Sequence, residues 1–194
     1  MFEALKTVTN NNAQGAYYIT DLIGIMNEEG KKVDGYKIQD FSEVGGINDR
    51  VQLAEATKLL QKRVNKNWLL NGVTIVDTDN TYIGTDVVIG KDTIIEPGCI
   101  IKGHTTIGAH CHIGPYCEFT DVDIKDNVEI KFSVLSDSVV ESGTDIGPYA
   151  RLRTNCHIRE NVHIGNFVEM KKADFGKGSK SAHLTYIGDA KVGD

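Results

Sequence analysis

Arg153 and Lys171 are the residues of this 194-residue chain best suited to holding an anion, and their spacing is the reason. Each directly follows a large apolar residue, Leu152 and Met170, and those two are 18 positions apart. In a chain that turns once every 18 residues the two cations stack roughly 4.8 Å apart, the separation of neighbouring strands. Charges that close repel unless an anion sits between them. A guanidinium offers a planar fork of donors and an ammonium a point charge, and both suit phosphate. Arg151, Lys172, Lys177 and Lys180 add local positive charge to a chain of formal net charge -6. The plain alternative is a solvated basic face. Just beyond this cluster, His183 and Tyr186 interrupt the repeat, and interruptions of a repeat tend to be functional loops. Imidazole titrates near working pH, so His183 is the candidate general base.

Two other strings suggest chemistry and fail. Gly176-Lys177 lacks the glycine that a Walker loop requires five residues earlier, where Lys171 stands. His110-Cys111-His112 with Cys117 suggests zinc as a bare string. The repeat register, however, points Cys111 inward and its histidine neighbours outward.

The elements that must position these residues are read from periodicity. Ile83, Ile89, Ile95, Ile101, Ile107, Ile113 and Phe119 are spaced by six, and Gly84, Gly90, Gly108 and Gly114 follow four of them. Six is neither the helix nor the strand period. It is the signature of a hexapeptide solenoid, one flat strand and turn per hexad, three hexads per coil. Five-residue steps appear through Ile124, Ile130, Leu135 and Val140, and the period resumes from Ile146 to Met170. Cys99, Cys111, Cys117 and Cys156 each lie four residues after an inward aliphatic, in a small interior slot. Buried thiols there act as small hydrophobes.

Upstream, Leu53, Ala56, Leu60 and Val64 recur at helical spacing after Asn48-Asp49, and Asn71-Gly72 is a stop signal. This predicts one amphipathic helix over 51–71. Residues 1–50 do not repeat. Short helical stretches are expected near Phe2–Val8 and Tyr18–Met26, and a short strand within Val33–Phe41. The expected fold is mainly β: a solenoid over 72–194, preceded by a long helix and a small α/β segment.

Composition narrows the function classes. The acidic balance argues against nucleic-acid backbone binding, which needs a basic face. No apolar run approaches the ~18 residues of a membrane span. The first residues lack the pattern of a secretory signal, so cytoplasm is the default location and the thiols are reduced. Twenty glycines against three prolines suit regular turns.

Several stretches together resemble the GlmU family of bifunctional N-acetylglucosamine-1-phosphate uridyltransferases and glucosamine-1-phosphate N-acetyltransferases. They are Asn10–Gly15 (NNNAQG), Tyr17–Asp21 (YYITD), Gly46–Arg50 (GINDR), Ile146–Arg153 (IGPYARLR), Gly165–Lys172 (GNFVEMKK), Gly176–Lys180 (GKGSK) and His183–Tyr186 (HLTY). The resemblance implies a left-handed parallel β-helix that forms a homotrimer. Ahead of it would come a helical linker and, over 1–50, the end of a nucleotidyltransferase domain. It implies acetyl transfer from acetyl-CoA to glucosamine 1-phosphate. Uridyl transfer from UTP with Mg2+ then gives UDP-N-acetylglucosamine for the cell wall. Carried over residue by residue, Arg153 and Lys171 would hold the sugar phosphate, Tyr186 would contact the sugar, and His183 would be the base. Asn48 would bind the nucleotide sugar and ligate magnesium. The family's Gly-rich nucleotide loop and its second magnesium ligand are expected N-terminal to residue 1, and further coils beyond residue 194. Neither site is then complete within these residues, and little turnover is expected from them alone. Two alternatives stand beside this reading: another hexapeptide acyltransferase, and a non-catalytic solenoid that binds sugar phosphates or oligomerises.

Overall fold

The computed structural model describes residues 2–194, which divide into two compact units, one extending to Gly45 and the other Gly46–Asp194. The first unit holds α1 (Phe2–Leu5), α2 (Asp21–Glu28) and a 3-10 turn at Phe41–Glu43. Ala4 and Leu22 are its buried apolar residues, while Phe2, Tyr17, Ile19, Tyr36 and Phe41 are exposed. The expected strand within Val33–Phe41 does not form. A strand needs a partner to take its backbone groups, and this unit contains no other strand among the described residues.

The second unit begins with α3, Arg50–Leu70. Asp49 caps it, accepting from the Gln52 amide at 2.8 Å, and the Gln52 side chain accepts from the Asn48 amide at 2.6 Å. Asn71 ends the helix, and Gly72 follows at φ 88°, where a glycine has no steric cost. The buried side of α3 differs from the one its own periodicity predicts. Leu53 and Leu60 are about half exposed, whereas Gln61 and Asn65 are buried. The reason lies in what the helix covers. Residues 76–81 precede the second strand and present carbonyl oxygens toward it. Gln61 Nε2 donates to Thr78, Asp79 and Thr81 oxygens, and Asn65 Nδ2 to those of Thr78 and Thr81. Val64 and Trp68 then pack on the solenoid core.

The solenoid is a parallel β-helix with three flat faces. One face runs from Thr74–Ile75 to Lys180–His183. The next runs from Tyr82–Ile83 to Tyr186–Gly188, and the third from Val88–Ile89 to Lys191–Val192. Every pairing is parallel and joins successive coils: Ile95 faces Ile113, Ile101 faces Phe119, and Leu152 faces Met170. The six-residue period survives because each inward side chain closes one face of the prism. At the five-residue steps the chain turns more tightly. Glu118–Ile124 and Val134–Val140 run as single strands through a corner at Asp121 and Asp137, with φ 55° and 42°. Leu135 therefore faces Phe119 after 16 residues.

The interior is aliphatic, and all four cysteines lie in it with 2% exposure or less. Two hydroxyls in the same small slots donate to backbone oxygens of the adjoining coil, Thr93 to Gly108 and Thr144 to Arg159. Several glycines after inward residues are there for contact. A Cβ at Gly90 would lie 2.5 Å from the Gly108 carbonyl carbon. On one corner the rings of Tyr116, Phe132, Tyr149 and Phe167 stack with centroids 5.5–5.8 Å apart.

Ion pairs link neighbouring outer positions. On the third face Asp123 accepts from Thr106 and Lys125, each at 2.6 Å. Burial by itself raises this carboxyl's pKa, but the bonds from Lys125 and Thr106 outweigh it and hold the group below its ordinary value. The sign follows from linkage. A depressed folded pKa adds stability above the unfolded value, and that stability is lost as pH falls through the folded one. The thermal midpoint is therefore expected to drop below about pH 4, and to drop less in Asp123→Asn. Superimposable midpoint-versus-pH curves for the two proteins would contradict this.

Candidate functional site

The expected cationic column is present. Leu152 and Met170 are in register, and the Arg153 amide donates to the Met170 carbonyl at 2.8 Å. Arg153 and Lys171 thus emerge side by side on successive coils of the second face, and Gly188 is paired with Lys171 on the coil beyond. The Arg153 guanidinium is held by a carboxylate that the spacing of cations does not reveal. Its Nη1 lies 3.0 Å from Glu169 Oε1. One bond of this kind leaves the other guanidinium donors available. Lys171 is half-buried, and its ammonium has no ion-pair partner among the described residues.

The surrounding basic residues do not all join this column. Lys172 sits on the corner beside Asp189 at 3.8 Å, and Lys177 on another corner pairs with Glu160 at 2.5 Å. Lys180 belongs to the first face. Arg151 is exposed on the second face, next in register to Glu169. The broad basic cluster of the sequence is therefore narrowed to Arg153 and Lys171, with Arg151 nearby.

Tyr186 opens the strand Tyr186–Gly188 on the same face and is in register with Glu169. His183 closes the strand Lys180–His183 on the adjoining face, in register with Asn166. Leu184, at φ 48°, turns the corner between them, and Thr185 Oγ1 donates to the His183 carbonyl at 2.8 Å. Both functional candidates are exposed. The expected interruption of the repeat here is absent. Phe175, Ser181, Ile187 and Val192 continue the inward positions at five- and six-residue steps. A serine in place of an aliphatic residue and a tight corner disguise the period. His183 and Tyr186 therefore stand on a regular coil, and their position is set by strand pairing instead of a loop.

The structure thus brings Arg153, Lys171 and Tyr186 onto one face, with His183 just across a corner. Asn48 is elsewhere, beside the first turn of α3, a helix that by its 21 residues spans about 30 Å. Its exposed amide offers one neutral oxygen. No group of three or more His, Cys, Asp or Glu side chains that could hold a metal exists among the described residues. Magnesium is held chiefly by carboxylates and water, so the residues present around Asn48 do not fit a magnesium site, and no step through one follows from them. The zinc string is likewise dispersed. Cys111 is buried, its thiol pKa raised first by that burial, while His112 turns outward to Glu96 at 3.0 Å. No helix among the described residues is long and apolar enough to cross a membrane.

Two participants were not singled out from sequence, Glu169 and Gly188. Glu169 is legible in retrospect as an acid 16 residues after Arg153, diagonal to it across one coil step. Gly188 has no sequence signal beyond its neighbour Tyr186.

Comparison with known proteins agrees with the motif reading. A family model described as "GMPPB C-terminal domain" matches residues 83–175. Proteins named "Bifunctional protein GlmU" match over 193 residues: 49% identical in Lactobacillus johnsonii, 51% in Enterococcus faecalis and 54% in Limosilactobacillus fermentum. Each match covers 100% of this chain and 42% of the relative. Among solved structures, the acetyltransferase domain of PglB from Neisseria gonorrhoeae matches at 14% identity. It covers 71% of this chain and 64% of that chain with a TM-score of 0.26, too distant a likeness to carry a functional argument. The chain spans about two-fifths of the length of the curated relatives it matches, and over that span it is a homologue of the bifunctional GlmU proteins.

Proposed function

We propose that this chain supplies part of a glucosamine-1-phosphate N-acetyltransferase site. The observation that carries the reading is the Arg153–Lys171 column, two cations on consecutive coils with Tyr186 on the same face. The sugar phosphate lies against Arg153 and Lys171, and Glu169 keeps the guanidinium from rotating away. The Tyr186 hydroxyl meets the sugar. His183, across the corner, takes the proton from the sugar's ammonium or from the attacking amine. The amine nitrogen forms its bond to the acetyl carbonyl carbon of acetyl-CoA, the C–S bond breaks, and CoA leaves as the thiolate. An imidazole acting as general base contributes in the usual range of about 10²–10⁴-fold.

In the same proposal, residues 1–50 end a uridyltransferase domain, 51–71 link it, and 72–194 begin a left-handed β-helix that trimerises in the cytoplasm. The acetylated sugar phosphate then passes to uridyl transfer from UTP, with Asn48 contributing to UDP-N-acetylglucosamine binding. The carboxylate beside it, Asp49, is engaged in capping α3. The support for this wider assignment is the homology to GlmU proteins.

Calorimetric titration with glucosamine 1-phosphate tests the column. Arg153→Ala is expected to weaken binding about 10- to 100-fold, the worth of a charge-assisted hydrogen bond to phosphate. Equal affinity of the two proteins would remove the column as a phosphate site. Lys172→Ala, on the corner beside Asp189, is expected to bind as the unsubstituted chain does.

A further inference from the structure

Gly188 is covered by the side chain of Tyr186. It lies two residues after Tyr186 in the strand Tyr186–Gly188, so both face outward on either side of Ile187. A Cβ at Gly188 would lie 2.5 Å from Tyr186 Oη and 2.7 Å from Cε1 and Cζ. The phenol ring is therefore folded along the strand and covers the bare backbone of Gly188. The two preceding positions of the column, Arg153 and Lys171, carry long side chains instead. With Gly188 in register with Lys171, the Tyr186 hydroxyl occupies the third step of the cationic column. That hydroxyl makes no hydrogen bond among the described residues, and the ring is 61% exposed.

We propose that Gly188 is a positioning residue for Tyr186: its missing side chain lets the phenol lie flat and aims the hydroxyl at a ligand held by Arg153 and Lys171. This rests on the sugar-phosphate reading above and adds a residue to it. The backbone of Gly188 does not lie in the left-handed region, so alanine is compatible with its conformation. The atoms an added methyl meets belong to the far end of a flexible side chain. Alanine there is accommodated by swinging the ring aside, with the coil intact.

The test uses the full chain with 13C-ring-labelled tyrosine, the Tyr186 resonances being assigned through Tyr186→Phe. Gly188→Ala is expected to move the Tyr186 ring resonances while leaving the thermal midpoint unchanged. It is expected to weaken glucosamine 1-phosphate about fivefold, the worth of one ordinary hydrogen bond. Tyr186→Ala is expected to cost about the same, and the double variant no more than either alone, because both act through one hydroxyl. A purely structural glycine would give additive losses. Additive losses, an unmoved ring, or wild-type affinity in Gly188→Ala beside a weakened Tyr186→Ala would each overturn the proposal. If Arg153→Ala and Tyr186→Ala both bind as the unsubstituted chain does, the sugar-phosphate reading fails. The positioning of the ring is then decided by the resonances alone.

Discussion

Gly165→Ala is expected to destabilise the solenoid by about 3 kcal/mol, the upper end of overpacking costs. Gly165 lies in the strand His163–Asn166, which pairs with Lys180–His183. A Cβ at Gly165 would overlap the Ala182 carbonyl oxygen and press on that residue's carbonyl carbon and Cα. These are backbone atoms and have no rotamer to escape into. Relief requires the two coils to separate, which stretches the pairing of Asn166 with His183 and the bond from the Leu184 amide to the Asn166 carbonyl at 3.1 Å. The cost therefore falls on the coil that carries His183 and Tyr186. Gly193→Ala is the control, since nothing lies within 4 Å of a Cβ there. Urea denaturation measures the difference, and hydrogen exchange at Lys180–His183 locates it. A loss no larger than that of Gly193→Ala would show that the coils do not depend on this contact.

Phe119→Ala is expected to cost about 3–5 kcal/mol, the range for deleting a buried aromatic ring. Phe119 has 0% exposure and heads the fully buried side chains by volume. It is stacked between Ile101 on one coil and Leu135 on the next. A solenoid core is a single column of layers, so neighbouring residues cannot slide in to fill a void without breaking the ladder on both sides. Val88→Ala gives the comparison. Val88 is 56% exposed on the outside of a face, and its truncation is expected to stay within about 0.5 kcal/mol. Equal midpoints for the two variants, with unchanged denaturant slopes, would refute the layered-core account.

Much of this fold is legible in the sequence because the prism is built from repetition. An inward side chain every sixth residue, or every fifth at a tight corner, is all that each face requires. The pattern from Ile83 to Met170 therefore predicts the faces, the interior cysteines and the stacking of Arg153 on Lys171. Where the repeat is disguised, the reading breaks down. Ser181 replaces an aliphatic residue, and the corner at Lys172 removes one position. His183 and Tyr186 then look like an interruption, although they sit on a regular coil. The helix shows a different limit. Its apolar positions suggest that Leu53 and Leu60 are buried, but the surface it covers is a row of carbonyl oxygens, so Gln61 and Asn65 face inward. Helical periodicity records the apolar content of a face and says nothing about what that face will meet.

By itself, the sequence determined the repeat, the interior, the start and stop of α3 and the pair of cations that share a column. All of these depend on spacing along the chain. Only the tertiary structure decided that Glu169 holds Arg153, that the Tyr186 ring lies over Gly188, and that His183 stands across a corner from both. It also decided that Lys172 and Lys177 turn away to acids of their own. Those outcomes depend on coil length and on side-chain torsions at outward positions, where no interior packing forces one choice.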